Sequence, residues 1–403
     1  MTTMADNKDK KVLNVPHLRF PEFRGEWEEH KLSEYLEFKN GLNPDAKRIG
    51  SGLPFISVMD ILSEGVINYD NIRGKVDATE KEIECFGVKD GDLLFQRSSE
   101  TLEDVGRANV YMDNRTAIYG GFVIRGRKIG NYEPLFFKYL LATPLARKKT
   151  CRMGAGAQHF NIGQEGLSKI SLYFPSIEEQ SKIATLLSLI DDRIATQNKI
   201  IEDLKLLKSA IIERAYRNHS YHPCRIGDVI EQISEKNKDK SIDTVLSVNN
   251  KQGFINQSEQ FEDRIIASED TSNYKIVYKN DFAYNPARIN VGSIARLRTI
   301  DMGIVSPMYI CFRVRKEVVS EYLEYFFSTS YFFYEMQKRL EGSVRQCLSF
   351  EGICNIPIYI PSSEEQHTIG KKISVLLDKI DVETLYHCKL VEQKHYLLRQ
   401  MFI

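Results

Sequence analysis

An internal duplication is the feature of this sequence that most constrains its fold. The segment Pro175–Gln180 reads PSIEEQ, and the later segment Pro361–Gln366 reads PSSEEQ. The offset between these segments aligns further residues on both sides of them: Tyr139 with Tyr325, Thr143 with Thr329, Val105-Gly106 with Val291-Gly292, and Asp192 with Asp378. A period of nearly half the chain is too long for a solenoid repeat, so it predicts two tandem domains of one kind.

Each copy of the repeat ends in a long predicted helix. Ser176 with Glu179, and Ser362 with Glu365, have the spacing of a capping box. Beyond these caps, apolar residues recur every three or four positions: Ile183, Leu187, Ile190, Ile194, Ile201, Leu204, Ile211 and Ala215, then Ile369, Ile373, Leu376, Ile380, Leu390, Leu397 and Met401. This spacing predicts a coiled coil. Two unrelated surface helices are the alternative.

Short strand patterns and turn signals precede each long helix, which favours a compact α+β domain. We expect a helix near Glu133–Arg152 in the first copy and near Val319–Leu340 in the second. Large apolar residues are assigned to the domain cores: Phe95, Phe122, Phe137, Tyr139, Tyr325 and Phe326.

The predicted fold class is therefore α+β, with two tandem domains and two long helices arranged as a pseudo-twofold internal repeat. The predicted boundaries are a first domain at residues 1–175, a first helical region at 176–217, a second domain at 218–361 and a second helical region at 362–403.

Composition excludes several classes of protein. The 403 residues include 55 Lys and Arg and 55 Asp and Glu, so the net charge is zero and a uniformly basic coat is excluded, although a local basic patch is not. No apolar run approaches the about 18–20 residues of a membrane span, and the polar start from Met1 to Lys11 does not resemble a secretion signal. Seven scattered cysteines favour reduced thiols. We expect a cytoplasmic protein with no membrane attachment.

Positive charge is distributed unevenly along the chain. No Asp or Glu occurs at residues 134–164 or 282–300, and Asp113 is the only acid at residues 106–132. By contrast, the helix at Ser176–Tyr216 has six basic and seven acidic residues. This distribution favours DNA binding by the domains and protein contacts by the helices, although any single basic run could be a solvated face.

Several segments resemble the specificity subunits of type I restriction-modification systems. The resemblance lies in the opening Val15–Phe23 with Gly25-Glu26-Trp27, in Gly91–Phe95, in Tyr284–Ile294 and in both PSxEEQ helix starts. It covers the whole chain, and the order of these segments within a duplicated layout makes it specific.

The resemblance implies a non-catalytic, DNA-binding subunit. Two target recognition domains would each read one half of a bipartite site in double-stranded DNA. The antiparallel coiled coil would set the spacer between the half-sites and dock two methyltransferase subunits, and the full complex would add two restriction subunits. This chain would then hold no cofactor itself, with S-adenosylmethionine on the methyltransferase partner and ATP and Mg on the restriction partner.

Candidate DNA-binding residues lie in polar segments beside turn residues, which we expect at the surface. In the first copy they are Gln96, Arg97, Ser98, Ser99, Arg107, Gln158, His159 and Asn161. In the second copy they are Asn285, Arg288, Asn290, Arg345 and Gln346. Arg, Asn and Gln can bond base edges in a bidentate manner, and Arg also binds phosphates. The alternative for Asn285 and Asn290 is that they only cap turns.

Catalysis by this chain has little support in the sequence. It contains neither a Walker-type phosphate loop nor a His-Glu-x-x-His zinc motif. Asn285-Pro286-Ala287-Arg288 resembles the Asn-Pro-Pro-Tyr segment of adenine methyltransferases, but Arg288 replaces the aromatic residue that stacks on the flipped base. A stand-alone DNA methyltransferase or nuclease, and a coiled-coil scaffold without a DNA role, are the alternative functions.

Overall fold

The computed structural model describes residues 13–156, 158–217, 221–250, 252–257, 270–342 and 346–403. The described residues form two compact units. The first comprises the chain up to Asn198 together with Leu385–Ile403, and the second comprises Lys199–Thr384. Each long helix is therefore divided between the two units, and each unit contains one copy of the predicted α+β domain.

The first copy has twelve strands and five short α-helices in its described residues, followed by the first long helix. The strands are β1 (Glu28–Lys31), β2 (Leu36–Asn40), β3 (Ile49–Ile56), β4 (Gly74–Val76), β5 (Gly87–Val88), β6 (Leu93–Gln96), β7 (Ser98–Ser99), β8 (Ala108–Val110), β9 (Ala117–Tyr119), β10 (Val123–Lys128), β11 (Phe160–Asn161) and β12 (Ser171–Phe174). The helices are α1 (Val58–Ile61), α2 (Glu80–Phe86), α3 (Pro134–Ala142), α4 (Pro144–Cys151), α5 (Gln164–Ser168) and the long α6 (Ile177–Tyr216).

The second copy follows the same plan in its described residues. The strands are β13 (His222–Arg225), β14 (Ile230–Ile233), β15 (Val245–Asn249), β16 (Gly253–Asn256), β17 (Lys275–Tyr278), β18 (Phe282–Tyr284), β19 (Ile294–Arg296), β20 (Met302–Val305), β21 (Ile310–Val314) and β22 (Pro357–Ile360). The helices are α7 (Ile226–Val229), α8 (Ser320–Phe326), α9 (Ser330–Gln337), α10 (Phe350–Cys354) and the long α11 (Ser363–Gln400).

Sheet topology confirms the duplication. The order β2-β10-β6-β8 in the first copy corresponds to β14-β21-β18-β19 in the second. The order β4-β3-β9-β5 corresponds to β16-β15-β20-β17, and in each of these sheets the central pair is parallel. The pair β1-β12 corresponds to β13-β22. The predicted α+β class is thus correct for both copies.

The single helix expected in each domain is wrong, because both copies break it at a threonine. Thr143 separates α3 from α4, and its hydroxyl accepts a hydrogen bond from the Ala146 backbone N–H. Thr329 precedes α9, and its hydroxyl accepts from the Phe332 backbone N–H. A threonine oxygen that caps a new helix satisfies a backbone donor that the break leaves free.

In the first unit, α6 and α11 run antiparallel, as predicted. Lys394 Nζ lies 2.6 Å from an Asp191 carboxylate oxygen, and the Arg193 guanidinium lies over the Tyr386 ring at 5.4 Å. Contacts thus move backward along α11 as they move forward along α6. Both helices and the two residues after α11 join the core of the first domain through buried apolar side chains: Ile183, Ala184, Leu187 and Ile190 of α6, Leu397 and Leu398 of α11, and Met401 and Phe402.

In the second unit, the end of α6 packs beside the start of α11. Ile212 and Tyr216 share one buried core with Ile373. The predicted stripe is displaced by one position here, because Ile212 is buried while Ile211 is only partly buried. The Tyr216 hydroxyl donates to the Tyr322 backbone carbonyl, which fixes the end of α6 on the domain.

The two predicted capping boxes differ in the structure. At the start of α11, the Ser362 backbone N–H donates to Glu365 at 3.2 Å, and the Glu365 N–H donates to the Ser362 hydroxyl at 3.3 Å. At the start of α6, only the bond from the Glu179 N–H to the Ser176 hydroxyl forms. The Glu179 carboxylate instead accepts two hydrogen bonds from Arg19, at 2.8 Å each.

Candidate nucleic-acid interface

In the first domain, two polar loops are joined by a small antiparallel strand pair. Ser98 pairs with Asn161, and Ser99 pairs with Phe160. The Ser98 hydroxyl also donates to the Asn161 side-chain oxygen, and the Ile162 backbone N–H donates to the Arg97 carbonyl at 3.0 Å. The structure thus brings together two groups of candidate residues that lie far apart in the sequence.

The second of these loops is closed at its base by backbone hydrogen bonds. Ala155 and Asn161 exchange two N–H to carbonyl bonds of 2.9 Å each. Gly156 has φ of +142°, and a Cβ atom there would lie 2.0 Å from the His159 carbonyl oxygen, so only glycine fits. Gln158 and His159 follow at the exposed tip.

Arg107 joins the same cluster through its backbone. Its carbonyl accepts a hydrogen bond from the Gln96 N–H at 2.8 Å, while its side chain is half-exposed and forms an ion pair with Asp104 at 2.7 Å. Arg147 supports this loop by donating to the carbonyls of Glu103 and Val105, at 2.8 and 2.6 Å. Burial lowers the pKa of Arg147. All eight candidate residues of the first copy therefore lie in one loop cluster.

The second domain has the same loop frame, that is, the same set of backbone hydrogen bonds that join these loops, but its side chains differ. The Asn285 N–H donates to the Ser293 carbonyl at 3.0 Å, as Gln96 does to Arg107. The Leu348 N–H donates to the Pro286 carbonyl at 3.0 Å, as Ile162 does to Arg97. Glu341 and Cys347 exchange bonds of 2.9 and 2.8 Å, as Ala155 and Asn161 do.

These bonds place the candidates of the second copy. Gln346 lies in the loop closed by Glu341 and Cys347, beside the segment that carries Asn285. Arg345 lies outside the described residues. Arg288 precedes a 3-10 turn at Ile289–Val291, which Gly292 ends with φ of +90°. This turn leaves Arg288 and Asn290 exposed.

Comparison with known proteins assigns the family. The Type I restriction modification DNA specificity domain matches this chain twice, at residues 24–206 and 219–389. The chain belongs to the type I restriction-modification DNA specificity family. The matched segments cover most of the chain and repeat as the duplication requires.

Individual relatives are distant but extend along the chain. A Methanocaldococcus jannaschii protein provisionally named the type I restriction enzyme MjaX specificity subunit is 22% identical over 399 residues, covering 93% of this chain and 92% of the relative. The EcoKI specificity subunit of Escherichia coli is 25% identical over 189 residues, covering 45% and 40% respectively. The crystal structure of an S subunit from M. genitalium matches with a TM-score of 0.58 at 14% identity, covering 96% of this chain and 99% of that chain. The structural match supports the fold.

Two of the candidate DNA-binding residues are buried, so the expectation that they lie at the surface is wrong. Gln96 and Asn285 are only 5% and 6% exposed. Gln96 Nε2 donates to the Ser98 carbonyl at 3.0 Å, and Asn285 Oδ1 accepts from the Ala287 N–H at 3.1 Å. Both side chains therefore stabilise their loops through internal hydrogen bonds. For Asn285, this agrees with the alternative that it only caps a turn.

In the folded specificity domains, acidic side chains lie against several arginines of the basic runs. Arg296 is buried and bonds Glu321 and Glu324 at 2.6 and 2.9 Å, and Arg298 also bonds Glu324. Arg115 bonds Asp70 at 2.7 Å. Acids distant in sequence thus neutralise part of the runs at 106–132 and 282–300, whereas in the run at 134–164 only Lys149 has an acidic partner in the described residues, Glu29 at 3.6 Å. Exposed basic side chains without a hydrogen-bond or ion-pair partner in the described part of the chain remain near the loops: Lys148, Arg152 and Arg288.

Phe122 contradicts its assignment to the core, because 68% of it is exposed. It lies in the turn between β9 and β10, and its carbonyl accepts a hydrogen bond from the Arg97 N–H at 2.9 Å. The other five aromatic residues assigned to the cores are buried as predicted. Sequence reasoning missed this one, although the preceding Gly120-Gly121 pair is a turn signal.

The described residues contain no group of three or more His, Cys, Asp or Glu side chains placed to hold a metal ion. Among the same residues, no helix is both long and apolar enough to cross a membrane.

Proposed function

We propose that this chain is the DNA-specificity subunit of a type I restriction-modification complex, and that each domain reads one half of a bipartite DNA site. The observation that carries the proposal is the shared loop frame with exchanged side chains. Arg97 in the first domain corresponds to Pro286 in the second, and Arg107 corresponds to Ser293. One frame with two sets of side chains suits two recognition elements with different target sequences.

The exposed candidates have the chemistry that DNA reading requires. Arg288, Asn290, His159 and Gln346 are exposed on loops held by backbone hydrogen bonds. Arginine and amide side chains bond base edges in the major groove, and cationic side chains bond phosphates. The 3-10 turn that contains Asn290 is already formed in the free chain, which reduces the entropy lost on binding.

The long helices are proposed to dock two methyltransferase subunits and to set the spacer between the half-sites. They have 40 and 38 residues, and several apolar side chains on them are exposed: Leu189, Leu206, Leu207, Val375, Val382 and Leu385. Exposed apolar side chains on a helix are suited to a protein partner. Two restriction subunits would complete the assembly.

We further propose that this subunit does no chemistry itself. Asn285 of the Asn-Pro-Ala-Arg segment is turned inward onto the Ala287 N–H, and Arg288 replaces the aromatic residue that would stack on a flipped base. S-adenosylmethionine would belong to the methyltransferase partner, and ATP and Mg to the restriction partner. The complex would act in the cytoplasm.

A methylation map tests the proposal. The chain is co-expressed with its methyltransferase partner in a host without adenine methylation, and modified adenines are located by sequencing. A motif of two short defined halves around an undefined spacer is the expected result. With assembly of both chains verified, the absence of any motif contradicts DNA reading and favours a scaffold. A single continuous motif contradicts the reading of DNA by both domains.

The spacer role has a separate test. Deleting one heptad from α6 and one from α11 should change the spacer and leave both half-site sequences intact, since the recognition loops lie outside the helices. Altered half-sites with an unchanged spacer contradict this role.

Purified chain that transfers methyl groups without a partner contradicts the non-catalytic assignment.

A further inference from the structure

Each domain exposes one large apolar side chain at the same place in its loop frame. Phe122 is 68% exposed, and Met308 is 56% exposed. The offset between them is that of the two PSxEEQ segments, so the two residues occupy equivalent positions of the duplication. Single exposed apolar residues are ordinary on protein surfaces, but a pair at equivalent positions of a diverged repeat calls for a shared cause.

The backbone presents both side chains in the same way. Phe122 is the third residue of a four-residue turn in which the Val123 N–H donates to the Gly120 carbonyl at 2.9 Å. Met308 is the third residue of the corresponding turn, where the Tyr309 N–H donates to the Ser306 carbonyl at 3.1 Å. The geometry at the tip is thus preserved, although glycines form one turn and Ser306-Pro307 the other.

The first turn is fixed to its surroundings. The Gly120 N–H donates to the Ile56 carbonyl at 2.9 Å, and the Gly41 N–H donates to the Val123 carbonyl at 3.1 Å. The Asn43 side chain packs against Gly121, because a Cβ atom at Gly121 would lie 1.8 Å from its oxygen and would displace it. The Phe122 ring therefore projects from a rigid support.

Both side chains lie beside the candidate reading loops. The Arg97 N–H donates to the Phe122 carbonyl at 2.9 Å, and Arg97 Nη1 donates to the Gly121 carbonyl at 3.3 Å. In the second domain, β21 begins two residues after Met308. Its first residue, Ile310, pairs with Tyr284, which directly precedes Asn285. Each apolar side chain thus accompanies a loop that carries exposed polar candidates.

We infer that Phe122 and Met308 are apolar wedges that press against, and partly unstack, one base-pair step in the half-site of their own domain. Phenylalanine and methionine are among the residues that DNA-binding proteins insert between base pairs. Partial unstacking of the bases costs free energy. That cost is offset when the neighbouring loop makes better contacts with the deformed DNA than with undeformed DNA. The inference rests on the proposed function, since it names a further specificity-determining residue in each domain.

The test uses the complex of this chain with its methyltransferase partner, and DNA containing both half-sites with 2-aminopurine at successive positions. Phe122→Ala should lower affinity by roughly 10-fold and remove the fluorescence increase in the half-site of the first domain only. Met308→Ala should do the same in the other half-site. Phe122→Trp should retain the signal, because an indole ring can also stack. The dependence of binding on salt should not change, since the wedge neutralises no phosphate.

Two exposed apolar residues at the opposite ends of the adjoining strands provide matched controls. Ile129 follows β10 and is 60% exposed, and Met302 begins β20 and is 45% exposed. Ile129→Ala and Met302→Ala should leave affinity and fluorescence unchanged. If they reduce both as strongly as the wedge variants do, the inference is overturned.

Other outcomes separate the wedge from the proposed function. Wild-type affinity and fluorescence in Phe122→Ala and Met308→Ala, while the wild-type complex shows a split motif, overturn the wedge alone. Loss of the methyltransferase subunit from Phe122→Ala in the absence of DNA shows a protein contact and also overturns it. A wild-type complex that reads no DNA overturns both.

Discussion

Gln180 Oε1 accepts a hydrogen bond from the Glu133 backbone N–H at 3.1 Å, which ties the start of α6 to the start of α3. Gln180 Nε2 donates to the Pro175 carbonyl at 3.0 Å. The second copy repeats this arrangement, because Gln366 Oε1 accepts from the Val319 N–H at 2.7 Å. The final glutamine of the PSxEEQ motif is therefore a buried clamp between each domain and its long helix.

Gln180→Ala should lower the free energy of unfolding by about 1–3 kcal/mol, because the Glu133 N–H would lose its partner in a partly buried site. Urea denaturation and amide exchange at the start of α3 measure the effect. Gln337→Ala is the control, since Gln337 is exposed at the end of α9. Equal stability of the two variants contradicts the clamp.

Arg19→Ala should destabilise the protein by about 3–5 kcal/mol, because it leaves the Glu179 carboxylate, of which 1% is exposed, without its cation. Adding Glu179→Gln should restore part of the loss by removing the buried charge. A double-mutant cycle followed by chemical denaturation measures the coupling. Additive losses would show that the two side chains do not interact energetically.

Lys138 predicts a specific dependence of stability on pH. Its ammonium group donates to the Gly65 carbonyl at 2.7 Å, and burial lowers its pKa from 10.5 to about 8. Between these values, the unfolded chain binds a proton that the folded chain lacks. This group therefore makes the free energy of unfolding rise with pH, by at most about 1.4 kcal/mol per pH unit.

Lys138→Met removes this contribution while leaving other titrating groups in place. The stability of the wild type minus that of the variant should rise between pH 8 and pH 10 in parallel denaturation series. Below pH 8 the difference should be level, because Lys138 is charged in both states there. A level difference over the whole range contradicts the lowered pKa.

Arg288→Ala should weaken recognition of one half-site by about 1–3 kcal/mol, as expected for a lost bidentate base contact, with no loss of stability. Arg288 is exposed, and its side chain has no hydrogen-bond or ion-pair partner within the described ranges. Arg296→Ala should lower stability and leave recognition unchanged, because Arg296 is buried between Glu321 and Glu324. Methylation assays with altered half-sites, together with melting temperatures, distinguish the two variants. Unchanged recognition by Arg288→Ala contradicts its assignment.

Much of the architecture could be predicted from local patterns. The offset of the duplication recurs in equivalent hydrogen bonds at Ala155 and Glu341, and the apolar spacing predicted helices that the structure places at Ile177–Tyr216 and Ser363–Gln400. These features depend on residues close in sequence, or on the comparison of one copy with the other. The break at Thr143 escaped prediction, because apolar residues continue on both sides of it.

The sequence by itself determined the α+β class and the two long helices, because periodicity and capping act over a few residues. It also determined the duplication, because the two copies can be aligned with each other. Only the tertiary structure decided which polar residues face solvent. Asn285 is turned inward by a hydrogen bond, Arg296 is neutralised by acids of α8, and Phe122 projects from a turn that distant strands hold in place. Exposure and charge balance depend on every neighbour in space, so they are settled only when the strands and loops have packed together.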